Sequence, residues 1–176
     1  MEDDFLEKLK KEFIFFGRLS EDVDYARKLL EENDSQIVRR TYLRSLFAFI
    51  EGNSFRLRQL ALAAHIHRTQ CFSNEEIIML EEKDLGIKNN GNLKIRTKYI
   101  DFASNIRFSQ KSYIKAFGGK LPDYTVNGWA QLIKALEIRN RITHPRSEND
   151  LNISNEELKA IYEAKEWYSD NIQFML

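Results

Sequence analysis

The run Glu137-Ile138-Arg139-Asn140-Arg141-Ile142-Thr143-His144-Pro145 gathers arginine, an amide and histidine within six residues, directly ahead of a proline. Asn140 and His144 are four apart and share a face if the segment is helical. Pro145 disfavours α-conformation at His144, which puts the imidazole on the last, loosened turn. Arg139 lies a turn earlier. An imidazole donates or accepts a proton near neutral pH. A guanidinium holds a phosphate in bidentate fashion and neutralises charge that develops on it. Together these groups suit chemistry at a phosphodiester. Basic residues and His also complement the dipole at a helix C-terminus. Residue types and spacing alone therefore leave a catalytic and a structural reading open.

The surrounding elements read as helices. Phe5, Leu6, Leu9, Phe13 and Phe16 recur at helical spacing, and Gly17 is expected to end that helix. Ser20 caps a second one carrying Val23, Ala26, Leu29 and Leu30. A long helix is expected from about residue 35 to 71, with something tight beside Gly52 or a break there, since mid-helix glycine costs about 1 kcal/mol. Ser73 and Glu76 form a capping box for a short helix. Residues 84–96 contain Asn90-Gly91 between short alternations and predict a loop or small β-hairpin. Helix is expected again from Thr97 to Phe117, stopped by Gly118-Gly119. Another opens at Asn127 and is stopped by Pro145. The last starts at Ser154, with Glu157 completing a capping box. The fold class is all-α: an antiparallel bundle of about five to six helices with a hairpin insert, in one domain spanning 1–176.

Composition narrows the function classes. The 176 residues contain 7 Gly and 2 Pro, too few for the many tight turns of an all-β fold. The single cysteine, Cys71, excludes an intramolecular disulfide. No apolar run approaches the ~20 residues of a membrane helix. The start Met1-Glu2-Asp3-Asp4 is acidic, unlike a signal peptide, so a soluble cytoplasmic protein with no membrane partner is expected. The 27 basic and 27 acidic residues cancel but alternate in blocks. Residues 37–72 hold 6 basic residues and 1 acidic, and residues 87–121 hold 8 and 1. Helices of opposite charge pairing, or one basic face for a phosphate backbone, both account for this.

Glu51 is the one acid in the first basic block. It either pairs with and orients Arg139 or makes an ordinary ion pair with Arg44 or Arg58, the simpler alternative. Lys94, Arg96 and Lys98, with Arg141 beside the motif, are the expected RNA-backbone contacts. The aromatic residues Tyr99, Phe102, Phe108 and Tyr113 between those basic residues mostly fit core spacing. His65-Ile66-His67 with Cys71 suggests a metal. Side chains two apart on a helix diverge, and no second ligand cluster follows, so no metal and no cofactor are expected.

The run Arg139-Asn140-x-x-x-His144-Pro145 resembles the signature of the HEPN superfamily: Arg, a polar residue, then His four to six positions after the Arg. The stretch Leu43 to Gly52, with Glu51-Gly52 interrupting an apolar helix, resembles the earlier long helix of several HEPN subfamilies more weakly. The resemblance spans about residues 35–170. Residues 1–34 and 84–96 lie outside it.

The resemblance implies an all-α bundle and a metal-independent endoribonuclease, often a toxin or antiviral effector. Such proteins act as homodimers that bring two motifs together, in some cases with a cognate inhibitor or antitoxin. It makes Arg139 and His144 the catalytic pair and Asn140 the supporting polar residue. Position 146 is Arg rather than the Tyr of one toxin subfamily, which sets this chain apart from that branch. The alternative, which the resemblance also allows, is an inactive module that dimerises or binds RNA or nucleotides. A helical DNA-binding regulator finds no helix-turn-helix signature in the sequence.

Overall fold

The computed structural model describes residues 2–173, with the side chains of 2–6, 8, 68, 69 and 173 left aside. Met1 and the side chains of Glu2, Asp3, Asp4, Phe5 and Leu6 thus lie outside the described residues. Among those described, the chain forms six α-helices and one β-hairpin. These are α1 (Glu2–Glu32), α2 (Gln36–Ala64), α3 (Asn74–Leu80), α4 (Phe102–Phe117), α5 (Asn127–Thr143) and α6 (Asn155–Gln173). The strands are β1 (Lys83–Ile87) and β2 (Leu93–Thr97). The all-α reading with a small hairpin insert holds.

Gly17 does not end a helix: α1 runs through it. Leu9, Glu12, Phe16, Leu19, Val23, Ala26 and Leu30 are all half-buried or buried, and their alternating spacing of three and four crosses Gly17 without a change of phase. A stripe that continues in phase outweighs the roughly 1 kcal/mol glycine penalty. The helix expected up to Cys71 stops earlier. After Ala64, a wider π-turn over His65–Thr69 ends at Gln70 in the left-handed region, φ 42°. The helix expected from Thr97 starts later. Thr97 belongs to β2, and the side chain of Asp101 caps α4 by accepting from Ser104 N.

The helices divide into two compact units. One comprises residues 1–13 and 53–121; the other comprises 14–52 and 122–176. In the first, Ala61, Phe72 and Leu80 form a core with Ile77, Phe108 and Ala116 packed around it. Arg58, only 1% exposed, crosses this unit from α2. It donates to Asn105 Oδ1 and Ser109 Oγ on α4 and pairs with Glu82 just before β1. Burial lowers the pKa of its guanidinium, and the charge of Glu82 opposes that shift.

The second unit holds the Arg139–His144 motif. Its core includes Tyr42, Leu43, Leu46, Ile50, Leu132, Ala135, Ile161 and Tyr168, all fully buried. Burying an aliphatic or aromatic side chain of this size contributes roughly 1.5–3 kcal/mol. Tyr168 packs edge-on to Phe49 and donates from its hydroxyl to Ile50 O. A Cβ at Gly52 would collide with Leu19 Cδ1, so the glycine lets α1 and α2 approach closely there. Arg39 at the start of α2 donates to Asp34, to Ile153 O and to Asn155 Oδ1. That arginine holds the carboxyl of Asp34 below its usual range.

Gly128 sets how α5 meets α6. A Cβ there would lie 2.5 Å from Trp167 Cβ, Cγ and Cδ1. The Trp167 Cβ is fixed to the α6 backbone, so the side chain cannot simply swing away. Gly128→Ala is expected to destabilise the protein by about 1–3 kcal/mol through overpacking, ahead of its gain in helix propensity. A urea midpoint at or above the wild-type value would contradict this.

Candidate active site

The buried residues Trp129, Leu132, Ala135, Ile138 and Ile142 form the inward stripe of α5. That stripe turns Asn140, Thr143 and His144 toward solvent and leaves Arg139 half-buried at its edge. The side chain of Arg139 is 29% exposed and reaches Glu51 on α2, 88 residues earlier, through Nη2. Its Nη1 donates to Asn140 Oδ1 at 3.1 Å. The guanidinium also sits over the ring of Phe47, 5.6 Å from the centroid. Phe47 and Glu51 are four apart on α2 and so share a face. Together they give Arg139 an aromatic floor and an anionic anchor.

Glu51 therefore pairs with Arg139, not with Arg44 or Arg58. Arg58 is taken up by Glu82. Asn140 supports the arginine: its side-chain oxygen accepts from Arg139, and its main-chain oxygen accepts from His144 N at 3.0 Å. These contacts use two of the five N–H donors of Arg139.

His144 caps the C-terminus of α5 with φ −125° and ψ 60°, outside the helical region, as the following proline requires. It is exposed. His144 is thus the C-cap, five residues after Arg139 on the same helix. The chain after His144 is tightly built. Asp150 Oδ2 accepts from the main-chain N–H groups of Arg146 and Ser147 at 2.7 and 2.8 Å. Those bonds hold the Asp150 carboxyl below its usual range. Residues 148–151 then form a 3₁₀ turn under a Ser147–Asp150 capping box.

Arg141 is engaged elsewhere. Its Nη1 and Nη2 meet the two Glu157 oxygens at 2.8 and 3.0 Å, and Nη2 also donates to Asn152 O. Burial raises the pKa of Glu157, but Arg141 and the Ser154 N–H outweigh it, so the carboxyl titrates below its usual range. Arg141 thus ties the end of α5 to the start of α6. Lys94, Arg96 and Lys98 lie in the other unit, on β2 and just beyond it, all exposed. His65 Nδ1 accepts from Phe72 N at 3.1 Å. Among the described residues, no group of three or more His, Cys, Asp or Glu is placed to hold a metal ion.

Two participants escaped the sequence reading. Phe47 was legible only as the member of an F-x-x-x-E pair four residues before Glu51. Asp150 carried a signal, the S-x-x-D spacing after Ser147, which is a capping pattern.

No protein-family model, no curated protein and no solved structure matches this chain. No helix among the described residues is long and apolar enough to cross a membrane.

Proposed function

We propose that this chain is a metal-independent endoribonuclease of the HEPN type, acting as a homodimer in toxin or antiviral defence chemistry. The observation that carries the reading is the clamped Arg139. Glu51, Asn140 and Phe47 hold it in one orientation at the helix end where His144 stands open to solvent.

Arg139 receives the scissile phosphate and neutralises the added charge of the phosphorane. The 2′-oxygen of the preceding ribose attacks phosphorus and loses its proton, and the bond to the 5′-oxygen breaks as that oxygen gains one. Imidazole groups carry these protons. One arginine and one histidine per chain make a sparse site, so a second copy supplies the complementary set across a shared cleft. Glu51 keeps Arg139 extended between substrates.

A nucleophile drawn from the substrate restricts the reaction to RNA, the only nucleic acid with a 2′-hydroxyl. Purified protein is expected to cut RNA in the presence of EDTA, to spare DNA and to spare RNA methylated at the scissile 2′-oxygen. The fragments are expected to carry 2′,3′-cyclic phosphate and 5′-hydroxyl ends. Cleavage that needs a divalent metal, or fragments with 5′-phosphates, would overturn the mechanism. Tight RNA binding without cleavage would instead favour the inactive RNA-binding module.

A further inference from the structure

The chain that leaves α5 runs back along α2. Arg139 meets Phe47 and Glu51, Leu151 O accepts from Arg40 Nη1 at 2.8 Å, and Ile153 O accepts from Arg39 and Gln36. His144 comes between the first of these contacts and the second. Arg40, Arg44, Phe47 and Glu51 are spaced four, three and four, so they form one stripe of α2. Five residues from Arg139 to His144 rise about 7.5 Å, and seven from Glu51 back to Arg44 rise about 10.5 Å, which brings Arg44 within one helical turn of the level of His144. Arg44 is exposed, and among the described residues no hydrogen bond or ion pair engages its side chain. The other arginines on this part of α2 are tied down, Arg39 by Asp34 and Arg40 by Leu151 O. Glu51 and Asp150, the acids already placed at this site, are spent on Arg139 and on the N–H groups of Arg146 and Ser147.

We infer that Arg44 is a further substrate-binding residue, which holds the RNA phosphate next to the scissile one, on the His144 side of Arg139. The inference rests on the ribonuclease reading of the site and deepens it: the substrate is a strand with at least two consecutive phosphates, not a lone phosphodiester. A guanidinium with no carboxylate partner keeps its full charge for a polyanion, and its fork of N–H donors matches two phosphate oxygens. Arg141, bound to both oxygens of Glu157, has no such charge to offer. Arg44 also stands on the same rigid helix as Phe47 and Glu51, which anchor Arg139. The spacing of the two guanidinium groups is therefore set by the packing of α2 against α5 rather than by a loop. A contact of this kind positions the strand without reading its bases. Arg146, two residues past His144, is exposed with its side chain unbonded among the described residues, and adds to the positive field on that side.

The test compares two substrates, a dinucleoside monophosphate, which carries the scissile phosphate alone, and a longer single-stranded RNA. For the longer RNA, Arg44→Ala is expected to raise KM on the order of tenfold with kcat unchanged, the loss of one charged contact at an open site. For the dinucleoside monophosphate, neither constant is expected to move. Arg44→Lys keeps the charge and is expected to recover most of the loss. A second arm needs no cleavage. In a His144→Ala background, Arg44→Ala is expected to weaken binding of the longer RNA by a similar factor and to flatten its dependence on salt by a slope of about 0.7, one phosphate contact on a single strand. An unchanged KM and salt slope, or equal losses with both substrates, would overturn the inference. Cleavage that ignores Arg44 leaves the ribonuclease reading standing without it. RNA binding that depends on Arg44 with no cleavage by the wild type does the reverse, and a chain that binds no RNA overturns both.

Discussion

His144→Ala is expected to lower the rate of RNA cleavage by roughly 10²–10⁴-fold, the usual contribution of a positioned general acid or base. The same substitution is expected to shift stability by no more than about 0.5 kcal/mol, as for other surface changes. The imidazole is exposed at the end of α5 and supports no packing. The helix-capping bond at this position belongs to the backbone N–H of His144, which alanine retains. Single-turnover cleavage of a defined RNA and a melting curve, taken on the same preparation, decide the matter. Cleavage at the wild-type rate would remove His144 from the mechanism. A large fall in melting temperature would give it a structural role instead. Arg139 is a less clean probe, because its guanidinium also ties Glu51 and covers Phe47.

The largest loss of stability is expected at Arg58, outside the candidate site. Arg58→Ala should destabilise the protein by about 3 kcal/mol, near the lower end of the range for breaking a buried ion pair. The side chain is 1% exposed and bonds Asn105, Ser109 and Glu82 at once. Removing it leaves a cavity where its stem packed and takes a donor from buried Ser109 and half-buried Asn105. Glu82, 36% exposed, regains water and limits the cost. Arg58→Met fills most of the same volume without a charge and should lose about 1 kcal/mol or less. Urea unfolding with equal slopes would show the two midpoints in that order. An alanine variant as stable as the wild type would show that the network adds nothing net.

Short-range signals set the local structure. The capping boxes at Ser73–Glu76 and Ser154–Glu157 form as their spacing requires. Gly118 and Gly119, both at positive φ, stop α4. Gly91 at φ 83° closes the hairpin with Gly91 N bonded to Lys88 O. Each signal acts within four residues, where backbone geometry and a neighbouring side chain decide the outcome. The same locality misled at Gly17, where a mostly apolar stripe in phase from Leu9 to Leu30 of α1 overrode one weak breaker. The motif itself was legible as residue types at a helix end.

Which charges meet follows from how the helices pack. From the sequence, Glu51 had nearer arginines at positions 44 and 58, and Arg141 looked as available as Arg139. Packing sent Arg58 to Glu82 and Arg141 to Glu157, which left Phe47 and Glu51, the latter 88 residues earlier in the chain, facing Arg139. An ion pair has no sequence period. Its partner is chosen by which helix faces the core brings together, and that choice gives Arg139 a fixed direction.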